Sequence, residues 1–563
     1  MTDRGSLTAG PARSYSARKE GRVTTRRDVL KGLLGASATM LLAACGGAGG
    51  QPSPTSGPRP SGTSAPAAPA AKPVTAGGAV TFALENDVID FDPLRSRAFV
   101  DRNVHYQIYD SLVRIDADGK IIPWLAERWE TSPDGKTVTL NLRTDVKFHD
   151  GTPFDAESVK WNIDRYRTTQ GSARSGELAP VESVEVVDPA TARFHLTAPF
   201  SPLLSLLVDR AGMMLSRKAV EAGGEDFTRK AFRAGTGPFV LTEAVKDDHI
   251  TLEKNPDWWG KDASGNRLPY LDKVVVRPIT SSDVRLTNVR TGNADVVNRI
   301  AGKDVSLLRS DSSLTYREKP GLAFDSIIPN RKAGFAFEEG RYVKAVSMAI
   351  DRNEILDKVF LGLGTVGYGT IAPPHFAYDA NFKPFEKADA DGARRLVADA
   401  GKGPLSFELL VPSGEPELLQ LAQLIQAQLK KADIGAELTQ LEFAQVLDLQ
   451  NKKEFQGMSL VGWSGRIDPD GNTYDHIYTG RPFNDSSYSN GEVDRLLDEQ
   501  RATTEEARRR DLLRKAEQIY AVDDPARVWY RFRVAHFVTP TRLQGLEVYP
   551  DGIIRFQYGW LQT

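Results

Sequence analysis

The segment 462–474 carries most of the side chains in this sequence that could bind a solute. Its candidate binding residues are Trp463, Arg466, Asp468, Asp470, Asn472 and Tyr474. The guanidinium of an arginine is a planar fork of N–H donors that fits a carboxylate or a phosphate. We therefore expect Arg466 to hold an anionic group, with Trp463 and Tyr474 as an aromatic wall beside it.

The same segment has other interpretations. Arg466 could pair locally with Asp468 or Asp470 and only order the loop, and the two aromatic residues could belong to the core. The run 468–472 looks superficially like a calcium loop, but it lacks the EF-hand spacing and the closing glutamate. We therefore predict a turn there rather than a calcium site.

A second group of polar residues follows the first predicted strand. Apolar and polar residues alternate over 79–84, as in a half-buried strand. Glu85, Asn86 and Asp87 come directly after it and could face a cleft. We add these three residues to the candidate ligand-binding set.

Other kinds of chemistry have little support in the sequence. The histidines are scattered, and no two lie four residues apart on one predicted helix: His105, His149, His195, His249, His375, His476 and His536. We find no HExxH, Gly-x-Ser-x-Gly, P-loop or GxGxxG motif. The formal net charge is -2, so no basic field points to nucleic acid. We expect neither a metal nor a cofactor, and no enzymatic reaction.

The N-terminus has the features of an export signal. Basic residues, including Arg26 and Arg27, precede a short apolar stretch over 29–44 that ends in Leu-Ala-Ala before Cys45. This ending resembles a bacterial lipobox, and Cys45 is the only cysteine. We predict that residues 1–44 are a signal peptide and that Cys45 carries lipid. A buried cysteine or a core helix is the alternative, and the Arg-Arg pair leaves twin-arginine and general secretion routes both open.

Residues 45–77 are predicted to be a flexible linker. They are rich in Gly, Pro, Ser, Thr and Ala, without apolar periodicity. A flexible coil of this length has ends about 30 Å apart, and proline extends it further. The linker would therefore hold a folded body clear of the membrane.

The body, residues 78–563, is too long for one ordinary hydrophobic core. Strand patterns dominate its beginning and end, whereas strands alternate with helices from about 405 to 463. This mixture predicts an α/β protein of at least two lobes, with no cysteine available for disulfides.

Short blocks in a characteristic order identify a resemblance to the extracellular solute-binding proteins of family 5, which serve ABC importers of the dipeptide, oligopeptide and nickel type. The blocks cover nearly the whole body and lie at 92–94, 109–113, 123–129, 146–154, 235–239, 255–259, 269–272, 349–352 and 462–463. The resemblance implies a two-lobed clamshell of the periplasmic-binding-protein type (type II, cluster C). It also implies a discontinuous first lobe: 78–278 is lobe I, 279–524 is lobe II, and 525–563 returns to lobe I.

The resemblance further implies a binding protein that captures peptides or a related small organic solute and delivers it to the ABC permease transmembrane subunits. We expect a monomer that binds no nucleic acid and is tethered by lipid on Cys45 to the outer face of the cytoplasmic membrane. An exported enzyme, or a protein that binds a non-peptide anion, nickel or haem, is the alternative.

The chain departs from the family where dipeptides are held. In dipeptide- and oligopeptide-binding relatives an aspartate after the Gly-Trp element binds the peptide ammonium, and Arg466 matches that position here. The loop 412–415, where dipeptide binders carry an arginine for the peptide carboxylate, has none. Two interpretations stay open: larger peptides held through their backbone, or an anionic non-peptide or modified peptide held by Arg466.

Overall fold

The computed structural model describes residues 74–401, 403–414 and 416–562. Strands dominate the first part of the described chain. Its elements are β1 (Ala79–Leu84), α1 (Phe99–Ile108), β2 (Val113–Ile115), β3 (Ile121–Pro123), β4 (Ala126–Thr131), β5 (Thr137–Leu142), α2 (Ala156–Thr168), β6 (Val181–Asp188), β7 (Thr191–Leu196), α3 (Leu203–Leu206), α4 (Arg217–Gly223), β8 (Phe239–Val245), β9 (His249–Lys254), β10 (Lys273–Pro278), α5 (Ser282–Thr291), β11 (Val296–Asn298) and α6 (Gly302–Ser310).

Helices are longer and more frequent in the second part. Its elements are β12 (Leu314–Pro329), α7 (Gly340–Ala349), α8 (Arg352–Lys358), β13 (Thr365–Val366), α9 (Ala390–Asp399), β14 (Ser406–Pro412), α10 (Pro416–Lys430), β15 (Gly435–Leu441), α11 (Phe443–Lys452), β16 (Met458–Trp463), α12 (Pro469–Ile477), α13 (Gly491–Ala502), α14 (Glu506–Gln518), β17 (Val528–Pro540), β18 (Leu543–Gln544) and β19 (Trp560–Leu561). The predicted strand at 79–84 and the predicted α/β class are confirmed.

One mixed sheet contains strands from nearly the full length of the described chain. Its strand order is β15-β14-β16-β12-β17-β11-β1-β10-β9-β8, with β13 added on β17. The pairs β1–β10, β1–β11, β14–β15 and β14–β16 are parallel, and the other pairs in this sheet are antiparallel. A separate antiparallel sheet has the order β4-β5-β7-β6.

The sheet carries two separate sets of hydrophobic cores. One core joins residues between Val80 and Val296 to a C-terminal stretch from Ala535 to Phe556, and a smaller one lies under α5 and α6. Another core joins residues between Ile327 and Leu460 to Val528 and Tyr530, and a fourth packs α12, α13 and α14. We call the part packed on the first pair of cores lobe I and the part packed on the second pair lobe II.

Strands β12 and β17 pass from one lobe to the other. They pair in antiparallel register from Leu314 opposite Pro540 to Ile327 opposite Val528, with irregularities in the middle. Asp325, which is buried there, accepts hydrogen bonds from Arg531 Nε at 2.8 Å and Arg533 Nε at 2.7 Å. This charged pairing ties the two crossing strands together where the cores separate.

Buried Asp110 organises part of lobe I. Its carboxylate accepts hydrogen bonds from the indole N–H groups of Trp124 at 2.7 Å and of Trp258 and Trp259, both at 3.1 Å. Arg114 adds a charged contact at 3.3 Å. A carboxylate that is fully buried must be paired and hydrogen-bonded, and this one joins the β2–β3 hairpin to the segment after β9.

Helix boundaries follow local sequence signals. Asp155 caps α2 by accepting a hydrogen bond from Ser158 N at 2.8 Å. The helix then buries Val159, Ile163 and Tyr166 on one stripe, because residues three and four apart share a face.

No helix in the described ranges has the length and apolar character needed to cross a bilayer.

Candidate functional site

The segment 462–474 begins in the last two residues of β16 and lies at the boundary between the lobes. Strand β16 lies inside the sheet between β14 and β12 and ends at Trp463. The predicted turn at 468–472 is instead the first turn of α12: Asp468 is the N-cap, and its side chain accepts from Asp470 N at 2.9 Å. Pro469 occupies the first helical turn, where a backbone N–H would have no partner within the helix. Aspartate followed by proline is therefore a sequence signal for the start of a helix.

Asn472 fixes the loop between β16 and α12. Its side-chain oxygen accepts from Trp463 Nε1 at 3.1 Å and from Arg466 N at 2.7 Å. Its amide nitrogen donates to the carbonyl oxygens of Leu322 and Thr370, both at 3.1 Å. All of these bonds lie within the protein, so Asn472 positions the loop.

Asp468 and Asp470 are paired with arginines of lobe II. Asp468 accepts two hydrogen bonds from Arg509, at 2.8 and 2.9 Å. Asp470 accepts from Arg501 Nη2 at 2.8 Å and from Arg501 Nε at 2.9 Å. The local pair with Arg466 that the sequence left open is therefore replaced by pairs with helices α13 and α14.

Tyr474 is also held within lobe II. Its hydroxyl donates to Asp498 at 3.0 Å, and Arg501 lies 3.2 Å from the centre of its ring. Desolvation by burial raises the pKa of Tyr474 above its ordinary value, which favours the neutral hydroxyl that donates to Asp498.

Arg466 points away from its own lobe and contacts lobe I. Its Nε lies 3.6 Å from Asp209 Oδ2, and its Cζ lies 4.4 Å from the centre of the Trp463 ring. Nη1 donates to Gly465 O at 2.9 Å. Its side chain is only 10% exposed, and burial lowers its pKa, although an arginine remains charged at physiological pH.

Asp209 lies among several arginines and was not among the residues predicted from the sequence. Arg102 Nε lies 3.2 Å away and Arg210 Nε 3.8 Å away, in addition to Arg466. Burial alone raises the pKa of Asp209, but these arginines and Arg174 outweigh burial and hold it well below its usual range. A charged Asp-Arg pair inside the apolar run 203–215 was the available sequence signal.

Further contacts join the two lobes around Arg466. Arg481 Nη2 donates to Gly176 O at 2.9 Å, and Arg97 lies 5.0 Å from the Phe483 ring centre. Ser201 N donates to Arg501 O at 2.9 Å. A cavity of about 20 Å³ remains here, lined by Glu177, Leu206, Trp463, Arg466, Asp470, Gly471, Asp475, Phe483 and Arg501. That volume is close to one water molecule, so the lobes are closed on each other.

The second predicted group lies on lobe I, at the carboxyl end of β1. Glu85 is buried and pairs with Arg299 Nε at 3.2 Å, Asp87 accepts from Asp247 N at 2.8 Å, and Asn86 is exposed. The contacts of Glu85 and Asp87 are thus made within lobe I, and the described contacts do not join this group to Arg466.

Asn298 is a further residue at this sheet edge that the sequence analysis missed. It is the last residue of β11, which runs parallel to β1, so Glu85 and Asn298 both lie at the carboxyl ends of neighbouring parallel strands. The two polar side-chain atoms of Asn298, Oδ1 and Nδ2, are buried and lack a hydrogen-bond partner among the described residues. Crevices at the carboxyl ends of parallel strands are common ligand sites, and buried polar atoms need partners.

Across residues 74–401, 403–414 and 416–562, no three or more His, Cys, Asp or Glu side chains are grouped so that they could hold a metal ion. His375 uses both ring nitrogens on backbone groups: Nδ1 accepts from Ala372 N at 2.9 Å, and Nε2 donates to Arg466 O at 2.8 Å. Burial lowers its pKa to about 4, so it is neutral and supports the Arg466 loop.

The family model for bacterial extracellular solute-binding proteins, family 5 (middle), matches residues 120–485. The chain belongs to this family. This family 5 protein is therefore a solute-binding protein, and its two lobes and mixed sheet are the fold expected from the resemblance.

Individual relatives agree with that assignment. The glutathione-binding protein GsiB of Salmonella paratyphi A is 28% identical over 495 residues, which cover 86% of this chain and 94% of GsiB. The Escherichia coli K12 GsiB is 26% identical over 496 residues, with the same shares covered.

A solved structure is similar over nearly its full length. The ABC transporter-associated periplasmic binding protein DppA from Helicobacter pylori, in complex with peptide STSA, has a TM-score of 0.77 and 25% identity, covering 87% of this chain and 99% of DppA. The oligopeptide-binding protein AppA from Bacillus subtilis, with a nonapeptide, shares the fold at a TM-score of 0.77 and 21% identity, covering 87% of this chain and 100% of AppA.

Proposed function

We propose that this chain is the substrate-binding component of an ABC importer, which captures a peptide or related small organic solute between its lobes and delivers it to the permease. The observation that carries this proposal is the family match combined with two cores joined by the crossing strands β12 and β17. Two lobes joined by a pair of strands can open and close on a solute by a hinge motion.

The crossing strands also bear on where the lobes divide. We propose that the chain changes lobe within β12 and within β17. Strand β11 pairs with β1, which favours a first boundary later than residue 278. Ala535 packs on the lobe I core and Val528 on the lobe II core, which favours a return inside β17.

The solute that best fits the cleft carries a carboxylate. Arg466 is a buried cation whose partner across the boundary is Asp209, and Asp209 already has Arg102 beside it. When the lobes separate, Arg466 loses that partner, and a solute carboxylate can take the place of Asp209. Glutathione, named for the GsiB relatives, is a peptide with two carboxylates and has the required chemistry.

Glu85 and Asn298 are proposed contacts on the lobe I side. The side-chain donor and acceptor of Asn298, at the carboxyl edge of the parallel strands, have no partner in the part of the chain that the structure describes. A peptide or amide-bearing solute offers both kinds of group, so this pair suits a peptide backbone rather than a simple anion.

We further propose that the protein performs no reaction on its solute. The histidines at positions 105, 149 and 375 are buried against backbone groups, and burial lowers their pKa. Neutral, backbone-bonded rings of this kind suit structural support better than acid–base catalysis.

Calorimetric titration of the full chain with glutathione, dipeptides, tetrapeptides and a haem or nickel–histidine probe tests the proposal. We expect saturable binding of a carboxylate-bearing peptide, which is recovered chemically unchanged by mass spectrometry. Conversion of the probe to product would indicate an enzyme, and exclusive binding of nickel–histidine or haem would replace the peptide assignment.

A further inference from the structure

A second cavity, of about 330 Å³, lies in lobe I. One wall is the β2–β3 hairpin with Trp124, and the other is the C-terminal segment 547–558. Every lining residue belongs to lobe I, and none of them lines the cavity beside Arg466. The volume is at the lower end of small-molecule pockets and fits a ligand the size of one amino acid.

Arg114 is one of two arginines in the lining of this cavity; the other, Arg555, already pairs with Asp551 at 2.7 Å. Arg114 is 2% exposed, and its Nη2 donates to Tyr109 O at 2.8 Å and contacts Asp110 Oδ1 at 3.3 Å. Within the described chain its Nε and Nη1 have no hydrogen-bond partner. Buried donors of a charged group are costly without an acceptor, so an incoming carboxylate would be stabilised here.

Gln557 supplies a complementary acceptor in the same lining. The residue is 1% exposed, and its Oε1 has no partner among the described residues. Three aromatic residues, Trp124, Tyr549 and Tyr558, also line the cavity. Aromatic rings beside unused polar atoms suit a ligand with a polar end and an apolar side chain.

The mouth of the cavity is acidic. Asp116, Asp118 and Glu547 belong to its lining, and the Asp118 side chain is 91% exposed. Lys319 is 3.6 Å from Asp118 and offsets one of these charges. Excess negative charge at the mouth repels polyanions and favours an ammonium group.

We propose that this cavity is an accessory site for a free amino acid with an aromatic or aliphatic side chain. The carboxylate lies toward Arg114, the ammonium toward Glu547 and Asp116, and the side chain against the aromatic lining. Since both walls belong to lobe I, binding does not require the lobes to close.

Calorimetry and ligand-observed NMR of the full chain with L-phenylalanine test this site. Phenylacetate lacks the ammonium and phenethylamine lacks the carboxylate, so we expect each to bind at least about tenfold more weakly than phenylalanine. Equal affinity for all three compounds, or no saturation by phenylalanine or leucine at millimolar concentration, would overturn the proposal.

Matched variants locate the binding. Glu547→Lys reverses an exposed charge at the mouth, whereas Glu130→Lys makes the same change on an exposed residue of β4. We expect Glu547→Lys to weaken phenylalanine binding at least about tenfold, and Glu130→Lys and Arg466→Ala to leave it unchanged. Loss in Arg466→Ala with retention in Glu547→Lys would place the amino acid in the cleft and reject this site, while leaving the importer proposal standing. Equal weakening by Glu130→Lys would also reject it.

Discussion

Arg466 of lobe II lies with its Nε 3.6 Å from the carboxylate of Asp209 in lobe I. Because this contact joins the lobes and its cation is the proposed carboxylate anchor, we expect Arg466→Ala to weaken binding of an anionic solute by about tenfold or more. Calorimetric titration of the parent and variant with the same solute measures the change.

Arg495→Ala is the matched control for that experiment. Arg495 also belongs to lobe II, but it is exposed and pairs with Glu492 and Glu499 on α13. Arg495→Ala removes the same charge as Arg466→Ala but leaves the contacts between the lobes intact, so the affinity for the anionic solute should stay the same. If Arg466→Ala binds as tightly as the parent, Arg466 does not hold the solute.

Asp110 is expected to be one of the most sensitive positions for stability. Asp110→Ala leaves three indole N–H groups and Arg114 without their shared acceptor, and we expect the free energy of unfolding to fall by about 3–5 kcal/mol. Urea unfolding followed by tryptophan fluorescence reports both the loss and the changed surroundings of the indoles. Asp145→Ala, at a 58% exposed side chain paired with Arg143, should cost about 0.5 kcal/mol or less. Similar losses for the two variants would contradict the assigned role.

Glu517 gives the stability a predictable pH dependence. Burial raises its pKa to about 8 from an ordinary value of 4.5, although Ile371 N donates to its Oε1 at 3.3 Å. Between these two values the folded state holds a proton that the unfolded state releases. The contribution of Glu517 to the free energy of unfolding therefore falls as pH rises from about 4.5 to 8 and is constant above.

Glu517→Gln removes that titration and keeps an acceptor for Ile371 N. We expect the variant to exceed the parent in stability at pH 8 by on the order of 2 kcal/mol, with a smaller difference at pH 5. Chemical denaturation across this pH range measures the difference, and Glu437→Gln on β15 serves as an exposed control. A difference between parent and variant that does not change with pH would show that Glu517 is ionised when folded.

Cys45 lies outside the described residues, and its role is predicted from the sequence alone. Cys45→Ser removes the thiol that would be diacylated, so the protein should leave the membrane fraction. Cell fractionation and intact-mass measurement of the parent and variant test this. Lipidation at Cys45 would be excluded if the variant stayed in the membrane fraction and differed in mass from the parent only by the Cys-to-Ser change.

Local patterns accounted for much of the architecture. Alternation predicted β1, because strand periodicity acts over short stretches of chain. The two lobes were expected from the length of the body and from the resemblance to family 5. The sequence also singled out Arg466 as a candidate anion-binding residue, and it left the choice between ligand contact and local ion pair open.

The ion-pair partners of the candidate residues could not be predicted from the sequence. Asp468 and Asp470 pair with arginines of α13 and α14, and the acidic run that looked like a turn begins a helix. Which charges meet depends on which faces of the helices pack together, and hydrophobic periodicity does not specify that.

The sequence by itself determined the family, the α/β class and the position of the cation that departs from the dipeptide binders. Only the tertiary structure decided that Arg466 meets Asp209, that Asp110 gathers three tryptophans, and that Asn298 joins Glu85 at one sheet edge. The physical reason is distance along the chain: these contacts form when remote segments fold together, and the burial that makes each charge significant exists only after that packing.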